Sequence, residues 1–377
     1  MNLTNRIYSI DVFRGITVAA MILVNNPGSW EHVYPPLLHA HWNGCTPTDL
    51  IFPFFLFIVG VSIHIAYEPR RDQGLTKEAL RKILKRALII FLLGIALTWY
   101  TIPVSNMFNA ERLASMRIPG VLQRISLVFL VSAILYLTTN WLQQIRIAIA
   151  ILLGYYVIMN FVPVPDTGHA SLEPSDNLGA WLDRLIFGRH LWASSKTWDP
   201  EGLLSTLPAV ATGILGMLTG KLFTTKAEAH QKLVWLFFTG AMLIFAGLAW
   251  GLAFPINKAL WTSSYVLYAA GIAMQMLAVL HWLIDVQGFR SWSQPFVYYG
   301  TNAIFVFVAS GFLAKTMGRI RFTTGEGREQ SVWGWLFENG YGWMEPTFAS
   351  FAFALTLVLV FLVILRAMYN RKIFIKV

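Results

Sequence analysis

The run DLIFPFFLFIVGVSIHIAY, residues 49–67, indicates a membrane-spanning helix, because it is almost wholly apolar and long enough to cross a bilayer. Similar runs recur along the whole chain. They lie near residues 11–28, 49–67, 87–104, 118–138, 145–163, 203–220, 233–254, 263–283, 296–315 and 347–367. The sequence therefore predicts an all-α fold, a polytopic transmembrane helical bundle of about ten spans, forming a single domain over residues 1–377.

The composition also favours lipid as the solvent, since 56% of the 377 residues are hydrophobic, 13% are charged, and the mean hydropathy is +0.56. Soluble domains carry about 25% charged residues, so this chain has too little polar surface to cover itself in water. The net charge of +10 lies between apolar runs, where membrane topology explains it better than a nucleic-acid partner. The one cysteine, Cys45, is assigned no chemistry.

Lysine and arginine positions predict the orientation, because membrane proteins concentrate these residues in cytoplasmic loops. The predicted connection 68–86 is strongly basic, and its residues 76–86 are typical of an amphipathic helix on the inner leaflet. Two other basic segments, 220–232 and the C-terminal tail with Lys376, fall on the same side. We therefore expect both termini to be cytoplasmic. The first apolar run has no small-residue cleavage site after it, so we expect a retained helix.

Charged residues inside or beside apolar runs are informative, because charge within a bilayer is costly and usually faces an interior or a cavity. Asp11 and Arg14 stand three positions apart and share one helix face. Either they form a salt bridge at the membrane surface, or Arg14 helps to hold an anionic ligand that enters from the cytoplasm.

A second polar cluster lies between the first two apolar runs, around HAHWNGCTPTD, residues 39–49. Pro27 and Gly28 break the preceding helix, and Thr48 or Asp49 is expected to cap the next one. Imidazoles can shuttle protons or attack an acyl group, and the H-x-H pattern can seed a metal site. Catalysis, structural hydrogen bonding and metal binding are therefore the alternatives here. The cluster comprises Asn25, Asn26, His39, His41, Trp42, Asn43, Thr46, Thr48 and Asp49.

A third cluster is MRIPGVLQRIS, residues 116–126, in which Arg117 and Arg124 are two helical turns apart and Gln123 precedes Arg124. An unpaired arginine inside an apolar span is expensive. Arg124 therefore either pairs with a carboxylate, such as Asp49 or Asp11, or contacts a phosphate or carbonyl group in a ligand channel, since its fork donates two hydrogen bonds.

The fourth set of polar residues lies later in the chain, in WDPEG and GTNAIF. Asp199 and Glu201 precede the sixth apolar run, where Asp199 is expected to cap the helix. Asn302 falls inside the ninth run, as either a contact between helices or a ligand contact.

Five segments carry a resemblance to a known family. They are SIDVFRGITVAAMILVN, HAHWNGCTPTDLIFPFFLFIVGVSI, RIPGVLQRIS, WDPEGLLSTLPAVATGILGMLTGK and YYGTNAIFVF, spread from residue 9 to residue 308. In these segments the chain resembles the membrane domain of the heparan-α-glucosaminide N-acetyltransferase family, within a wider superfamily of transmembrane acyltransferases. The resemblance implies that an acetyl group moves from cytoplasmic acetyl-CoA to an amino sugar or glycan acceptor across the membrane.

The resemblance also assigns site residues. The active-site histidine of the family falls on His39 and its asparagine on Asn25, with His39 as general base or nucleophile. Asn25 is expected to stabilise an oxyanion or to orient the imidazole, a task that Asp49 could also perform. Acetyl-CoA is the expected co-substrate, with no metal. The expected acetyl-CoA contacts are Arg14, Arg117, Gln123, Arg124 and Asn302. The expected acceptor contacts are His41, Trp42, Asn43 and Glu201.

Location, assembly and two rival functions complete the expectations. The resemblance implies a homodimer, and the sequence favours a bacterial inner membrane. An amino-sugar permease remains an alternative, although no internal repeat typical of transporters is evident. The other alternative is an acyltransferase of the same superfamily with a different donor or acceptor, because a fold fixes reaction class better than substrate.

Overall fold

The computed structural model describes residues 7–101, 109–323 and 327–375 and confirms a mostly helical, polytopic membrane protein. Each apolar run of the sequence overlaps a helix, because only a helix satisfies every backbone polar group within one segment in lipid. The α-helices are α1 (Tyr8–Asn25), α2 (Pro47–Tyr67), α3 (Lys77–Trp99), α4 (Ala110–Leu113), α5 (Val121–Thr138), α6 (Trp141–Phe161), α7 (Leu178–Phe187), α8 (Leu203–Thr224), α9 (Ala229–Gly251), α10 (Ser263–Leu280), α11 (Gln294–Thr301), α12 (Ala303–Arg319), α13 (Val332–Tyr341) and α14 (Pro346–Asn370).

Within the described ranges, eight helices are long and apolar enough to span a membrane, and a bent pair raises the number to nine. The predicted span 87–104 falls on α3, where the basic stretch continues without a break into the apolar stretch. The helix predicted at 76–86 and the span predicted at 87–104 thus form one continuous helix, which is not among the helices counted above as long and apolar enough to span a membrane. Residues 102–104 and Lys376 lie outside the described residues. The count of ten crossings and the cytoplasmic termini stay predictions.

The bent pair is α11 and α12, which meet at Asn302 with an angle of 74° between them. The side chain of Asn302 is buried, and its Nδ2 donates to the carbonyl of Ile373 while its Oδ1 accepts from the N–H of Ile375. Asn302 thus joins the helix break to the C-terminal segment through both of its polar groups. Its observed partners are therefore backbone groups of the protein.

The centre of the bundle depends on close contact between α2 and α8. A Cβ atom added at Gly60 would lie 2.0 Å from the carbonyl oxygen of Gly213, and one at Gly216 would lie 2.1 Å from that of Phe57. Small residues at such crossings let backbones approach, which is how membrane helices gain packing energy without a hydrophobic driving force between them. The first turn of α2, which carries Asp49, is held by Tyr265 of α10, whose hydroxyl donates to the Asp49 carbonyl at 2.6 Å.

The long connections hold one small two-stranded sheet and one further helix. Strands β1 (Arg321–Thr323) and β2 (Glu329–Ser331) pair antiparallel between α12 and α13. The other long connection holds α7, which packs against α8.

Candidate active site

Asp49 organises the loop in front of α2. Its Oδ2 accepts from the backbone N–H groups of Ala40 and Thr46, both at 3.0 Å, so one carboxylate closes the loop on both sides. Thr46 is the N-cap, and Asp49 bonds back to it from the third helical position. The N-cap is therefore Thr46, and not Thr48 or Asp49 as predicted. Thr48 instead donates to the carbonyl of Pro36.

The other oxygen of Asp49 holds His39. Oδ1 lies 2.7 Å from Nδ1 of His39, and the Asp49 side chain is almost fully buried while that of His39 is 53% exposed. Because a carboxylate only accepts, the proton of the neutral imidazole is assigned to Nδ1. Nε2 then carries a lone pair. This arrangement makes Nε2 of His39 a base or nucleophile, oriented through Nδ1.

Lys258 joins this pair from the connection between α9 and α10. Its Nζ lies 3.0 Å from Nδ1 of His39, 3.3 Å from Nε2 and 3.5 Å from Oδ1 of Asp49. Burial lowers the pKa of Lys258, and attraction to Asp49 opposes that shift. Lys258 was not among the predicted site residues. A sequence feature that could have indicated it is the polar pair of Asn257 and Lys258, which lies between two apolar runs.

The neighbours of His39 have other contacts. Trp42 donates its indole N–H to the carbonyl of Leu172, and its ring packs edge-on against Trp198 at 5.1 Å between centroids. Asn43 accepts from Asn257.

His41 and Cys45 complete the loop around His39. His41 is exposed. Burial raises the pKa of the Cys45 thiol to about 12, which keeps it protonated and unreactive near neutral pH.

Asn25 lines a different space, a cavity of about 590 Å³ among α1, α3, α5 and α12, which we call the outer cavity because the sequence predicts that this end of the bundle is non-cytoplasmic. Gln123, Arg117 and Lys315 also line it, and the buried Nε2 of Gln123 has no hydrogen-bond partner among the described residues. His39 is not among the described residues that line this cavity. The structure therefore groups Asn25 with Gln123 and Arg117, and groups His39 with Asp49 and Lys258.

Arg117 is occupied by two carboxylates. It bonds Asp199 through Nε and Nη2 at 2.8 and 2.5 Å, and Glu201 through Nη2 at 2.5 Å. Burial alone would lower the pKa of Arg117, but these acids outweigh it and raise it. Arg117 and Glu201, predicted to contact different ligands, thus neutralise each other.

Asp183 performs the helix capping expected of Asp199. Its Oδ1 accepts from the N–H of Leu203 in the first turn of α8, at 2.9 Å. Asp199 instead accepts from the N–H of Glu201. Burial raises the pKa of Asp183 to about 7.

Arg124 is fully buried in the first turn of α5. Its Nη2 donates to the carbonyl of Gly202 and to the hydroxyl of Ser205, and its guanidinium lies over the ring of Trp261 at 5.1 Å. The suggested ion pair with Asp49 or Asp11 is therefore replaced by neutral acceptors and an aromatic ring. Its Nε and Nη1 have no hydrogen-bond partner in the described part of the chain.

Arg14 lines an inner cavity of about 390 Å³. It bonds Asp11 at 3.1 Å and Ser62 at 2.7 Å, so the predicted salt bridge forms and Arg14 also faces the cavity. Arg86, missed because its basic neighbours indicated a membrane surface, lines the same space.

The two cavities contact successive stretches of α1, α3, α5 and α12, and the inner one is also lined by α2. On α1 the inner cavity contacts Arg14 and the outer one Asn25, and on α5 they contact Phe129 and Gln123 respectively. The two spaces therefore follow one another along the length of the bundle.

No group of three or more His, Cys, Asp or Glu side chains is placed to hold a metal ion among the described residues. Within the H-x-H pattern, Nδ1 of His39 is already bound to Asp49.

Comparisons with known proteins converge on one family. The family model described as "Heparan-alpha-glucosaminide N-acetyltransferase, catalytic" matches residues 6–254. The Homo sapiens protein named Heparan-alpha-glucosaminide N-acetyltransferase is 30% identical over 357 aligned residues, which cover 80% of this chain and 52% of that protein. The Mus musculus protein of the same name is 28% identical over 356 residues, covering 81% and 53%. The chain thus spans about half the length of the curated relatives it matches.

Proposed function

The chain belongs to the heparan-α-glucosaminide N-acetyltransferase family, and from that premise we propose that it transfers an acetyl group from acetyl-CoA to the amino group of a glucosamine-type sugar. The names of the relatives support an acetyltransferase acting on glucosamine. Their greater length leaves the activity of this chain a proposal. Its predicted location in a bacterial inner membrane and its predicted homodimeric state belong to the same proposal.

The observation that carries this proposal is the His39–Asp49 contact. Asp49 accepts a hydrogen bond from the Nδ1–H group of His39, so the lone pair of Nε2 is available to react. The imidazole is half exposed, so a substrate can reach it, whereas its orienting carboxylate is almost fully buried. A histidine of purely structural role would use both nitrogens in the core. This one presents a polarised base at an accessible edge.

Two mechanisms fit a base at this position. In the first, the sugar amine attacks the carbonyl carbon of the thioester while Nε2 of His39 accepts the proton of the amine. The C–S bond then breaks, and the imidazolium returns the proton to the thiolate. In the second, Nε2 attacks the carbonyl carbon first, the C–S bond breaks and the thiolate leaves. The amine then attacks the acetyl carbon, the bond between that carbon and Nε2 breaks, and the freed Nε2 accepts the proton of the amine and passes it to solvent.

The donor route is proposed along the two cavities. Arg14 and Arg86 line the inner cavity, and arginine forks suit the phosphates of a coenzyme A. Gln123 lines the outer cavity with an amide that has no partner, which suits the amides of a pantetheine arm. The basic residues before and in the first half of α3, which include Arg86, support a cytoplasmic side at the inner-cavity end. Acetyl-CoA would therefore enter at Arg14, and the amino sugar would approach His39 from the opposite side.

The acceptor contacts are proposed on the outer loops around His39. Of the four predicted residues, His41 and Asn43 are exposed beside it, and Trp42 packs against Trp198. Glu201 is bound to Arg117 and would act on an acceptor only through that pair.

The purified protein in detergent tests the function, with labelled acetyl-CoA and glucosamine, beside His39→Ala and the matched control His230→Ala, an exposed histidine at the start of α9. We expect acetylated glucosamine from the parent and from His230→Ala, and at least about 10³-fold less from His39→Ala. Full transfer by His39→Ala would contradict both mechanisms. Acetyl-CoA binding without transfer to glucosamine would favour another acceptor, and no binding with sugar uptake into vesicles would favour a permease.

A further inference from the structure

Lys258 places a mostly buried ammonium beside the reactive edge of His39. It stands four positions beyond the segment matched by the family model, which ends at residue 254. Only 20% of its side chain is exposed, and its Nζ is almost equally far from the two ring nitrogens of His39. A lysine placed there only for solubility would extend into water. This one points inward, at the imidazole and its carboxylate.

The distances show how the ammonium meets the ring. Because Nδ1 of His39 gives its proton to Asp49, it offers no lone pair to Lys258. Contact with both ring nitrogens places Nζ against the ring and off the axis of the Nε2 lone pair. An ammonium has three N–H groups, of which Asp49 and the imidazole occupy two at most. One N–H group therefore remains for an oxygen atom beside Nε2.

The loop that carries Lys258 is fixed to the loop that carries His39. Asn257 is fully buried and donates to the side chain of Asn43 at 3.2 Å. Gly44 donates its N–H to the carbonyl of Ile256 at 2.7 Å. Two bonds between the loops thus flank Lys258 on its N-terminal side. A charge held in place by the fold needs no reorganisation during reaction.

A second set of contacts holds the loop from its other end. Trp261 adopts a φ of 54°, unusual for a residue with a side chain, and donates its indole N–H to Thr212 on α8 at 3.1 Å. Strain of this kind persists only where the surroundings enforce it. The position of Lys258 is therefore set by the bundle on both sides.

We propose that Lys258 is a further catalytic residue, whose ammonium stabilises the oxyanion formed on the acetyl carbonyl when the thioester carbon is attacked beside His39. As the new bond to carbon forms, the C=O π electrons move onto oxygen, and Lys258 donates a hydrogen bond to that oxygen. The electrons return as the C–S bond breaks and the thiolate leaves. The inference rests on the proposed function and holds for either mechanism, since both pass through this oxyanion.

The test uses full-length protein in detergent and three variants at one site. Lys258→Met keeps the chain length and removes the charge, Lys258→Arg keeps the charge, and Lys258→Ala leaves room for a soluble amine. Lys196→Met is the matched control, an exposed lysine of the connection that precedes α8. We expect Lys258→Met to lower kcat by about 10²–10³-fold, with the KM for acetyl-CoA within about twofold of the parent.

Chemical rescue separates catalysis from a structural role. We expect n-propylammonium to restore kcat of Lys258→Ala in a saturable manner, n-propanol to have no effect, and Lys258→Arg to keep more activity than Lys258→Met. A structural role would lower the melting temperature and give no preference for the cation. A Lys258→Met protein with kcat within about threefold of the parent, or equal effects of amine and alcohol, overturns the inference alone. An inactive parent overturns the proposed function and this inference together.

Discussion

Replacing Asp49 by asparagine changes the proton position on His39 while keeping the shape of the site. Oδ2 of Asp49 accepts from two backbone N–H groups, those of Ala40 and Thr46. An asparagine keeps its oxygen there, because the reverse orientation would set an NH₂ group against two donors. Its NH₂ group then faces Nδ1 of His39. The imidazole must accept at Nδ1 and carry its proton on Nε2, where it can no longer act as base or nucleophile.

The expected loss of rate can be judged from a site in which the same replacement changes the tautomer of a catalytic histidine. In a hydrolase triad whose carboxylate likewise holds Nδ1, the same replacement lowers kcat by about 10⁴-fold. His39 is half exposed and can exchange its proton with water, so we expect about 10³–10⁴-fold, or about 4–5.5 kcal/mol of activation free energy. Acetyl-CoA binding should change little, because Asp49 does not line either of the two large cavities.

Single-turnover acetyl transfer measures this effect, with acetyl-CoA affinity determined separately on the same preparations. Asp166→Asn is the matched control, since Asp166 is an exposed acid paired with Arg184 on an outer connection. A kcat of Asp49→Asn within about threefold of the parent would contradict the role of Asp49 in setting the proton position on His39. A loss confined to acetyl-CoA affinity, with an unchanged rate at saturation, would contradict it as well.

Two further predictions concern the acids around α8. Arg117→Gln should cost about 3–5 kcal/mol of unfolding free energy, because it leaves the carboxylates of Asp199 and Glu201 buried without their cation. Thermal unfolding in detergent measures this loss. Asp183, whose pKa burial raises to about 7, gives stability that is complete below about pH 4 and lost as the pH rises to 7. The melting temperature of Asp183→Asn relative to the parent should therefore increase from pH 4 to 7 and level off above.

Each of these predictions has a control and an opposing result. Arg321→Gln breaks an exposed ion pair with Glu329 and should cost at most about 1 kcal/mol. Equal losses in Arg117→Gln and Arg321→Gln would mean that burial does not strengthen the Arg117 contacts. For Asp183, a melting-temperature difference that stays constant between pH 4 and pH 8 would show that its carboxyl group titrates in the ordinary range.

The helical architecture was readable from the sequence because lipid imposes one local rule. Each apolar run must satisfy its own backbone, so runs such as residues 49–67 become helices whatever their neighbours do. The contact between His39 and Asp49 could also be predicted from local sequence. Only ten positions separate them, and a helix start between them brings the carboxylate back toward the loop.

The remaining features depend on distant partners that one sequence does not reveal. Arg117 meets Asp199 across 82 positions, and Lys258 meets His39 across 219. The bend at Asn302 was hidden because GTNAIF is apolar enough to pass as one continuous span. Hydropathy records how much polar surface a segment carries. It does not record which other helix supplies the partner.

Transfer across a sealed membrane tests the proposed function most directly. Proteoliposomes with a single protein orientation, established by protease access to residues 68–76 between α2 and α3, would receive acetyl-CoA on that side and glucosamine only on the other. We expect acetylated glucosamine in the glucosamine compartment, and none when acetyl-CoA is moved to the opposite side. Product formed only when both substrates share one compartment would contradict transfer through the bundle.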